Sequence, residues 1–172
     1  MSLPFTAPAL RAALGQFATG VAIATTLNGD DAPVGLTINS FASVSLDPPL
    51  ILWSLGLGSA LLPAFRARNH FAINVLAAPH QPLADRFASR RPDKFTGLDW
   101  QPGVGGVPLL SAALARFACR LEQAVPGGDH LILIGMVLDF DRAEGEPLVF
   151  FNSRYRRLDA TDFAIASAGN PS

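Results

Sequence analysis

The segment VGLTINSFASVSLDPPLILWS, residues 34–54, is the part of this chain that departs most clearly from a plain apolar core. Five small polar residues fall within nine positions while both flanks are apolar: Thr37, Asn39, Ser40, Ser43 and Ser45. The double proline before position 50 opens an apolar run that is typical of a buried strand. Because small hydroxyl and amide groups on an apolar scaffold indicate a ligand, the segment predicts a binding site.

Around this segment, most of the chain has the pattern of short strands. The run at 113–125 is compatible with a helix by its alanine and leucine content, but its partial period-two alternation favours a strand. The run at 131–140 is apolar throughout, which predicts a strand buried on both faces. The sequence Asn28-Gly29-Asp30 predicts a hairpin turn. In all, strands are predicted at residues 21–27, 33–39, 50–55, 70–76, 113–125, 131–140 and 147–151.

Three helices are predicted beside these strands, at residues 6–19, about 60–69 and 79–88. The first helix takes Thr6 or Ser2 as its N-cap and ends at Gly20. A glycine- and proline-rich connection is expected at 97–108. Because the strands follow one another with hairpin spacing, the sequence predicts a mainly β fold, an antiparallel barrel of six or seven strands with peripheral helices. A doubly wound parallel sheet is the weaker alternative.

Length and composition predict a single domain over residues 1–172, with a core at about 10–158 and a flexible tail at 164–172. The chain is 49% hydrophobic but only 16% charged, so a second copy is expected to cover apolar surface, as a homodimer. The net charge of −1 favours neither a nucleic acid nor an anionic membrane as partner. The single Cys119 and the lack of a signal peptide or an apolar span predict a cytoplasmic protein.

Several kinds of catalytic site find little support in the sequence. His70, His80 and His130 are scattered and there is one cysteine, which argues against a metal site. Ser59 lies in GLGSA and not in a G-x-S-x-G elbow. The glycines before Ser59 lack the third glycine of a dinucleotide fingerprint, because position 61 is leucine. What remains is Ser59 at a helix start, which predicts either free donors for a phosphate or a plain N-cap.

Two basic clusters and one turn are further candidates. Arg90, Arg91 and Lys94 lie in SRRPDKF, where they form either a solvated loop or the counter-charge of a phosphate. Arg154, Arg156 and Arg157 form the second cluster, which is expected to be a solvated charged loop. Asp129-His130 follows two glycines in a tight turn, so the histidine is either simply exposed or a displayed functional group.

The order of these motifs resembles the flavin reductase family with the FMN-binding split-barrel fold, from about residue 10 to residue 158. That family comprises NAD(P)H-dependent reductases that serve two-component monooxygenases. The motifs that carry the resemblance are LGQFATGVAIATT, VGLTINSFASVSLDPPLILWS, HFAINVL, FASRRPDKFTGLDW, GGDH and PLVFFNSRYRRL.

The resemblance implies roles for the residues at matching positions. The flavin ring and ribityl chain are expected against residues 37–40 and the strand end at Ser54, with the phosphate near Ser59 and the basic loop. The expected nicotinamide-binding residues are His130, Ser153, Arg154 and Tyr155, with His130 orienting the ring. The expected flavin-binding residues are Thr37, Ile38, Asn39, Ser40, Ser43, Ser54, Leu55, Ser59, Arg90, Arg91 and Lys94.

The implied reaction is hydride transfer from nicotinamide C4 to flavin N5, which requires stacked rings and little acid–base help. The flavin is FMN or FAD, the nucleotide is NADH or NADPH, and the reduced flavin passes to a partner monooxygenase. Two departures from the family are apparent, at the apolar residues 55–57 and at Asn152-Ser153, where relatives often carry glycine. The alternatives are a split-barrel protein that binds flavin or haem without turnover, and a dimeric structural module.

Overall fold

The computed structural model describes residues 4–158, so the predicted tail at 164–172 lies outside the described residues. Three α-helices and two short 3₁₀ helices accompany the strands of this part of the chain. The helices are α1 (Ala7–Leu14), α2 (Leu62–Ala67) and α3 (Gln81–Ala88), with 3₁₀ turns at Ala78–His80 and Val104–Gly106. The strands are β1 (Thr19–Gly20), β2 (Ala22–Leu27), β3 (Pro33–Ile38), β4 (Ala42–Leu46), β5 (Pro49–Gly56), β6 (His70–Leu76), β7 (Trp100–Pro102), β8 (Pro108–Leu110), β9 (Ala113–Gly127), β10 (His130–Arg142), β11 (Val149–Phe151) and β12 (Arg154–Arg156).

Seven strands form one antiparallel sheet in the order β3-β2-β6-β9-β10-β5-β4, which confirms the mainly β, antiparallel prediction. The strand prediction for 113–125 is also confirmed, because β9 pairs with β6 over residues 113–120 and with β10 over residues 115–127. Smaller sheets join β1 to β11 and β12, and β7 to β8. The edge positions of β3 and β4 leave a split between the two ends of the large sheet.

The main core lies on the inner face of this sheet, where period-two alternation directs every second side chain inward. In β5 the buried side chains are Ile51, Trp53 and Leu55. The Trp53 ring meets Phe65 of α2 and Phe71 of β6 edge to face, with centroids 4.9 and 5.9 Å apart. These contacts therefore join α2, β5 and β6 in one core.

A buried polar network fixes the neighbouring strands. Asn74 Nδ2 donates to Ile23 O and to Thr25 Oγ1, each at 3.1 Å, and Leu110 N donates to Asn74 Oδ1 at 2.8 Å. The Thr25 hydroxyl donates to Pro108 O at 2.6 Å. Because every one of these polar groups has a partner, the network joins β2, β6 and β8 without leaving a buried group unpaired.

The first helix is shorter than predicted. Thr6 does cap it, accepting from Ala9 N at 3.3 Å, but the helix ends at Leu14 and not at Thr19. The prediction was wrong because Thr19 and Gly20 pair with β11, which requires extended backbone before the expected helix end. None of the residues of α1 is buried, so its apolar side chains contribute to the surface.

Other observed elements also differ from the prediction. Strand β4 was not predicted: its sequence ASVSL alternates, but its serines were interpreted as ligand-binding groups and its apolar side chains are exposed. Strand β10 is not buried on both faces, since its side chains from Leu138 to Arg142 extend beyond β5 and are exposed. The connection at 97–108 contains β7 and a 3₁₀ turn. No helix among residues 4–158 is long and apolar enough to cross a membrane.

Candidate functional site

A cleft of about 740 Å³ opens along the free edge of β3. Its floor is the strand itself, one wall is the turn that leads into α2, and the other is the end of α3 with the basic loop that follows. A cleft of this size accommodates a small organic ligand. The lining residues are Pro33, Val34, Gly35, Leu36, Thr37, Gly58, Ser59, Ala60, Leu61, Phe87, Ala88, Ser89, Arg90, Arg91, Pro92, Lys94 and Phe95.

The floor of the cleft offers backbone hydrogen-bonding groups. Strand β3 pairs with β2 only, so alternate N–H and C=O groups point away from the sheet. Gly35 O accepts from Lys94 Nζ at 3.3 Å, which places the backbone groups of Gly35 on this free edge. Thr37, two residues farther on, has the same orientation. The edge can therefore donate and accept hydrogen bonds to a ligand beside it.

Helix α3 lies antiparallel to β3 and positions the basic loop. The Thr37 hydroxyl donates to Ala84 O at 2.6 Å, and a Cβ on Gly35 would lie 3.0 Å from the Phe87 ring and 2.8 Å from Ala24 O. Glycine at position 35 is thus required for the helix to approach the strand. Because the helix continues toward the start of β3, the loop after it lies at the opposite end of the cleft from Thr37.

The basic residues of this loop have different environments. Lys94 Nζ donates to Phe87 O at 2.8 Å as well as to Gly35 O, and burial lowers the pKa of its ammonium group. Arg91 pairs with Asp93 through two contacts at 2.9 and 3.1 Å, and this hydrogen bonding raises the pKa of the guanidinium. Arg90 makes no hydrogen bond within residues 4–158, so its guanidinium is available to an anion. Lys94 instead links the basic loop to β3 by hydrogen bonding.

Ser59 lines the cleft, but the expectation that it starts a helix was wrong. Its Oγ accepts from Leu61 N at 3.2 Å and its N–H donates to Gly56 O at 2.9 Å, whereas α2 begins only at Leu62. The glycines allow a tight turn here in place of a helical one. Ser59 therefore presents a hydroxyl to the cleft and no free helix N-terminus.

The remaining polar residues of the opening segment lie outside the cleft lining. Ser40 Oγ accepts from Ser54 N at 3.0 Å and donates to Ser54 O at 3.3 Å, so it joins the end of β3 to β5. Ile38 and Leu55 are buried in the core and can reach a ligand only by their backbone. The cleft thus gathers Thr37, Ser59, Arg90, Arg91 and Lys94 of the expected flavin set, and not Ile38, Asn39, Ser40, Ser43, Ser54 or Leu55.

The expected nicotinamide residues lie elsewhere in the described chain. His130 begins β10 opposite Gly56, and its Nδ1 lies 2.7 Å from Asp129 Oδ1. Ser153 and Arg154 are exposed, whereas the Tyr155 ring packs on Phe150 and burial raises the pKa of its hydroxyl. None of these residues lines the cleft.

The sequence did not single out Gly35 or Phe87. Both shape the cleft, Gly35 by its lack of a side chain, which lets α3 approach β3, and Phe87 as a side wall. A glycine inside a predicted strand is a recognised sign of close backbone approach, so position 35 carried a usable signal. Phe87 carried no such signal, because its helical spacing is equally typical of core packing.

Residues 4–158 offer no cluster of side chains for a metal ion and no reactive thiol. No three His, Cys, Asp or Glu side chains lie close enough together there to bind a metal. Cys119 is fully buried, and burial raises the pKa of its thiol to about 12. It therefore stays protonated at neutral pH and is a poor nucleophile.

Comparison with known proteins decides the family. A family model for the flavin reductase like domain matches residues 14–159. The chain belongs to this family. The sequence-based identification of a flavin reductase-like protein is thus confirmed, and solved flavin reductases confirm the split-barrel fold.

Individual flavin reductases resemble the chain over most of their length. FMN reductase (NADH) SmoA of Agrobacterium fabrum is 46% identical over 148 residues, 86% of this chain and 84% of that protein. The monooxygenase reductase subunit HsaB of Rhodococcus jostii is 41% identical over 150 residues, 87% of this chain and 76% of that protein. The structure of the NADH:FAD oxidoreductase SgcE6 of Streptomyces globisporus, in complex with NAD and FAD fragments, has a TM-score of 0.86 and 35% identity, covering 93% of this chain and 97% of that one.

Proposed function

We propose that this flavin reductase-like protein is an NADH:flavin oxidoreductase that takes FMN or FAD. The observation that carries the proposal is the cleft along the free edge of β3, with Arg90 at one end. Relatives named as NADH-dependent reductases of FMN and of FAD support it. When bound, the flavin supplies the acceptor for the hydride of the nicotinamide.

The cleft fits a flavin in one orientation. From Thr37 to Val34 the strand rises about 10 Å, at about 3.3 Å per residue. A ring beside the turn at 37–40 would therefore direct its ribityl chain along β3, toward Arg90 and the Ser59 hydroxyl. Arg90 then provides the positive charge for the phosphate, and Thr37 provides a backbone N–H group beside the chain. Thr37 contributes its backbone, since its hydroxyl already donates to Ala84 O.

The chain's own residues would act mainly by orienting the flavin and nicotinamide rings. Hydride transfer needs two rings held in contact, and it needs no protein group to move a proton at the reacting carbon. The edge of β3 would position one ring, and we propose that His130, Ser153, Arg154 and Tyr155 bind the nicotinamide nucleotide.

The proposal predicts NADH oxidation that depends on added flavin. Purified protein should accelerate NADH oxidation with FMN, with FAD or with both, because the cleft positions the flavin for the nucleotide. The rate is followed by loss of NADH absorbance under anaerobic conditions. No acceleration with either flavin, using NADH or NADPH, would contradict the proposal. A bound flavin that anaerobic NADH does not bleach would point instead to a carrier without turnover.

Two arginine variants test where the flavin phosphate binds. Arg90→Ala should raise the flavin KM by about tenfold, as expected for loss of one charge-assisted contact to a phosphate. Arg66→Ala is the matched control, because Arg66 is an exposed arginine on α2 that does not line the cleft. Equal effects of the two variants would argue against the assigned position of the phosphate.

Several finer features belong to the same proposal. We infer that the chain is one domain that forms a homodimer in the cytoplasm and passes reduced flavin to a partner monooxygenase. The names of relatives that are reductase subunits of monooxygenases support the partner. Exposed apolar side chains support the dimer, since Phe17 is 79%, Leu46 95% and Phe140 66% exposed in a single chain.

A further inference from the structure

We propose that Asp129 is a positioning residue that fixes the proton and the ring orientation of His130. This inference rests on the proposed role of His130 in binding the nicotinamide nucleotide. Asp129 Oδ1 lies 2.7 Å from His130 Nδ1. An ionised carboxylate can only accept a hydrogen bond, so Nδ1 carries the proton. In the neutral imidazole Nε2 is then the acceptor.

The turn that carries Asp129 is held in place on both sides. Gly128 and Asp129 form the two-residue connection between β9 and β10, and Gly128 has a φ of 66°. Asp129 has no positive φ, which is the pattern of a type II′ hairpin turn. Asp129 O also accepts from Leu57 N at 2.9 Å, which ties the turn to the end of β5. The constrained backbone of the turn therefore holds the Asp129 carboxylate beside the imidazole.

The other ring nitrogen lies beside Gly56. A Cβ placed on Gly56 would lie 3.8 Å from His130 Nε2, in ordinary van der Waals contact. Gly56 also opens the turn whose Gly58 and Ser59 line the cleft. An acceptor at this point is complementary to the amide NH₂ of a nicotinamide carboxamide. Asp129 would thus select the form of His130 that receives this group.

The pair is suited to controlling binding and not stability. The side chains of His130 and Asp129 are 48% and 95% exposed, and pairs of this kind contribute little to folding. The residues that pair with His130 on β9 and β5 are Gly127 and Gly56, which carry no charge. Hydrogen bonding from His130 lowers the pKa of Asp129, so the carboxylate stays ionised at neutral pH. Removing it should alter the imidazole and leave the fold intact.

The direct test measures the tautomer of His130. In ¹⁵N-labelled protein at alkaline pH, long-range proton–nitrogen spectra should show His130 with its proton on Nδ1. Asp129→Ala should move the proton to Nε2, the form that a free imidazole prefers. Asp30→Ala, which removes an exposed carboxylate from the β2–β3 hairpin, should leave His130 unchanged. A wild-type His130 with its proton on Nε2 would overturn the inference.

Kinetics provides a second readout. Asp129→Ala should raise the NADH KM about five- to tenfold, as expected for one hydrogen bond, without changing the flavin KM or the unfolding midpoint. Asp129→Glu should restore much of the loss. In a His130→Ala background, Asp129→Ala should have no further effect, because the two residues act as one unit. Independent, additive losses would contradict a positioning role.

The proposed function and the positioning role of Asp129 are contradicted by different results. If the protein does not oxidise NADH with any flavin, the proposed function is wrong, while the tautomer measurement still reports on Asp129. If the protein is an active reductase and the tautomer is insensitive to Asp129, only the positioning role is wrong.

Discussion

At the scale of single residues, the turn between β11 and β12 is a site of backbone strain. Asn152 and Ser153 have φ values of 47° and 59°, both in the left-handed region. A two-residue hairpin turn with two positive φ values is type I′, for which Asn-Gly is the preferred pair. Asparagine suits its position, whereas serine at the second position carries the cost of its Cβ. The departure from glycine noticed in the sequence is therefore a strained residue.

Replacing this serine should stabilise the protein. Ser153→Gly removes the steric cost of a left-handed residue and should raise the free energy of unfolding by about 1 kcal/mol. Urea unfolding followed by circular dichroism measures the change. Ser111→Gly is the control, because Ser111 is an exposed turn serine without a positive φ, where glycine should be neutral or destabilising. A gain of the same size in both variants would refute the explanation.

At the scale of elements, the contact between β6, β9 and β10 depends on a glycine. A Cβ on Gly135 would lie 2.8 Å from Phe71 Cε1 and 3.1 Å from Cys119 Cβ. Phe71 in turn packs on Trp53. The absence of a side chain at position 135 is what allows the aromatic cluster to pack directly on β10.

Adding one methyl group here should disturb the core. Gly135→Ala should lower the free energy of unfolding by about 1–3 kcal/mol, because a close-packed interior cannot absorb the extra volume without movement. The measurement is urea unfolding. Gly20→Ala in β1 is the matched strand control, since a Cβ there meets nothing within 4 Å. Comparable losses from the two substitutions would mean that backbone effects, and not packing, dominate.

The elements of the site differ in how far sequence patterns predict them. Strand β5 was predicted because it begins with an uninterrupted apolar run, which is a local property of the sequence. Strand β4 alternates as ASVSL, but it was missed because its serines were interpreted as ligand-binding groups and its apolar side chains are exposed. The basic loop was recognised by charge, but its Lys94 proved to hydrogen bond with backbone carbonyl groups of β3 and α3. Such a contact joins residues far apart in sequence and leaves no local pattern.

At the scale of the whole molecule, an aromatic row reaches the surface. Phe117 lies between Phe41 and Phe140, with ring centroids 5.6 and 6.3 Å away. Phe140 stacks on Phe117 and is nevertheless 66% exposed. A second copy of the chain that covers this aromatic row would bury apolar area without any rearrangement of the barrel.

The proposed homodimer should therefore depend on Phe140. Phe140→Glu should shift the protein from dimer to monomer at micromolar concentration, because it places a charge in the apolar contact. Sedimentation velocity measures the change, and an unaltered circular dichroism spectrum shows that the barrel is intact. Val104→Glu changes an exposed apolar residue outside the aromatic row and should leave the dimer unaffected. A monomeric wild-type protein, or a dimeric Phe140→Glu variant, would refute this interface.

Local patterns were sufficient for most strands, for the hairpin turns and for the motifs that indicate the family, because side-chain alternation and turn chemistry act between near neighbours. They also singled out Thr37, Ser59 and Arg90, which line the cleft. They could not show that β3 is an edge strand, that α3 runs beside it, or that Ser40 and Ser54 hydrogen bond to each other. Those features arise from strand order and from contacts across the sheet. They depend on which distant segments meet, and that is a property of the folded chain.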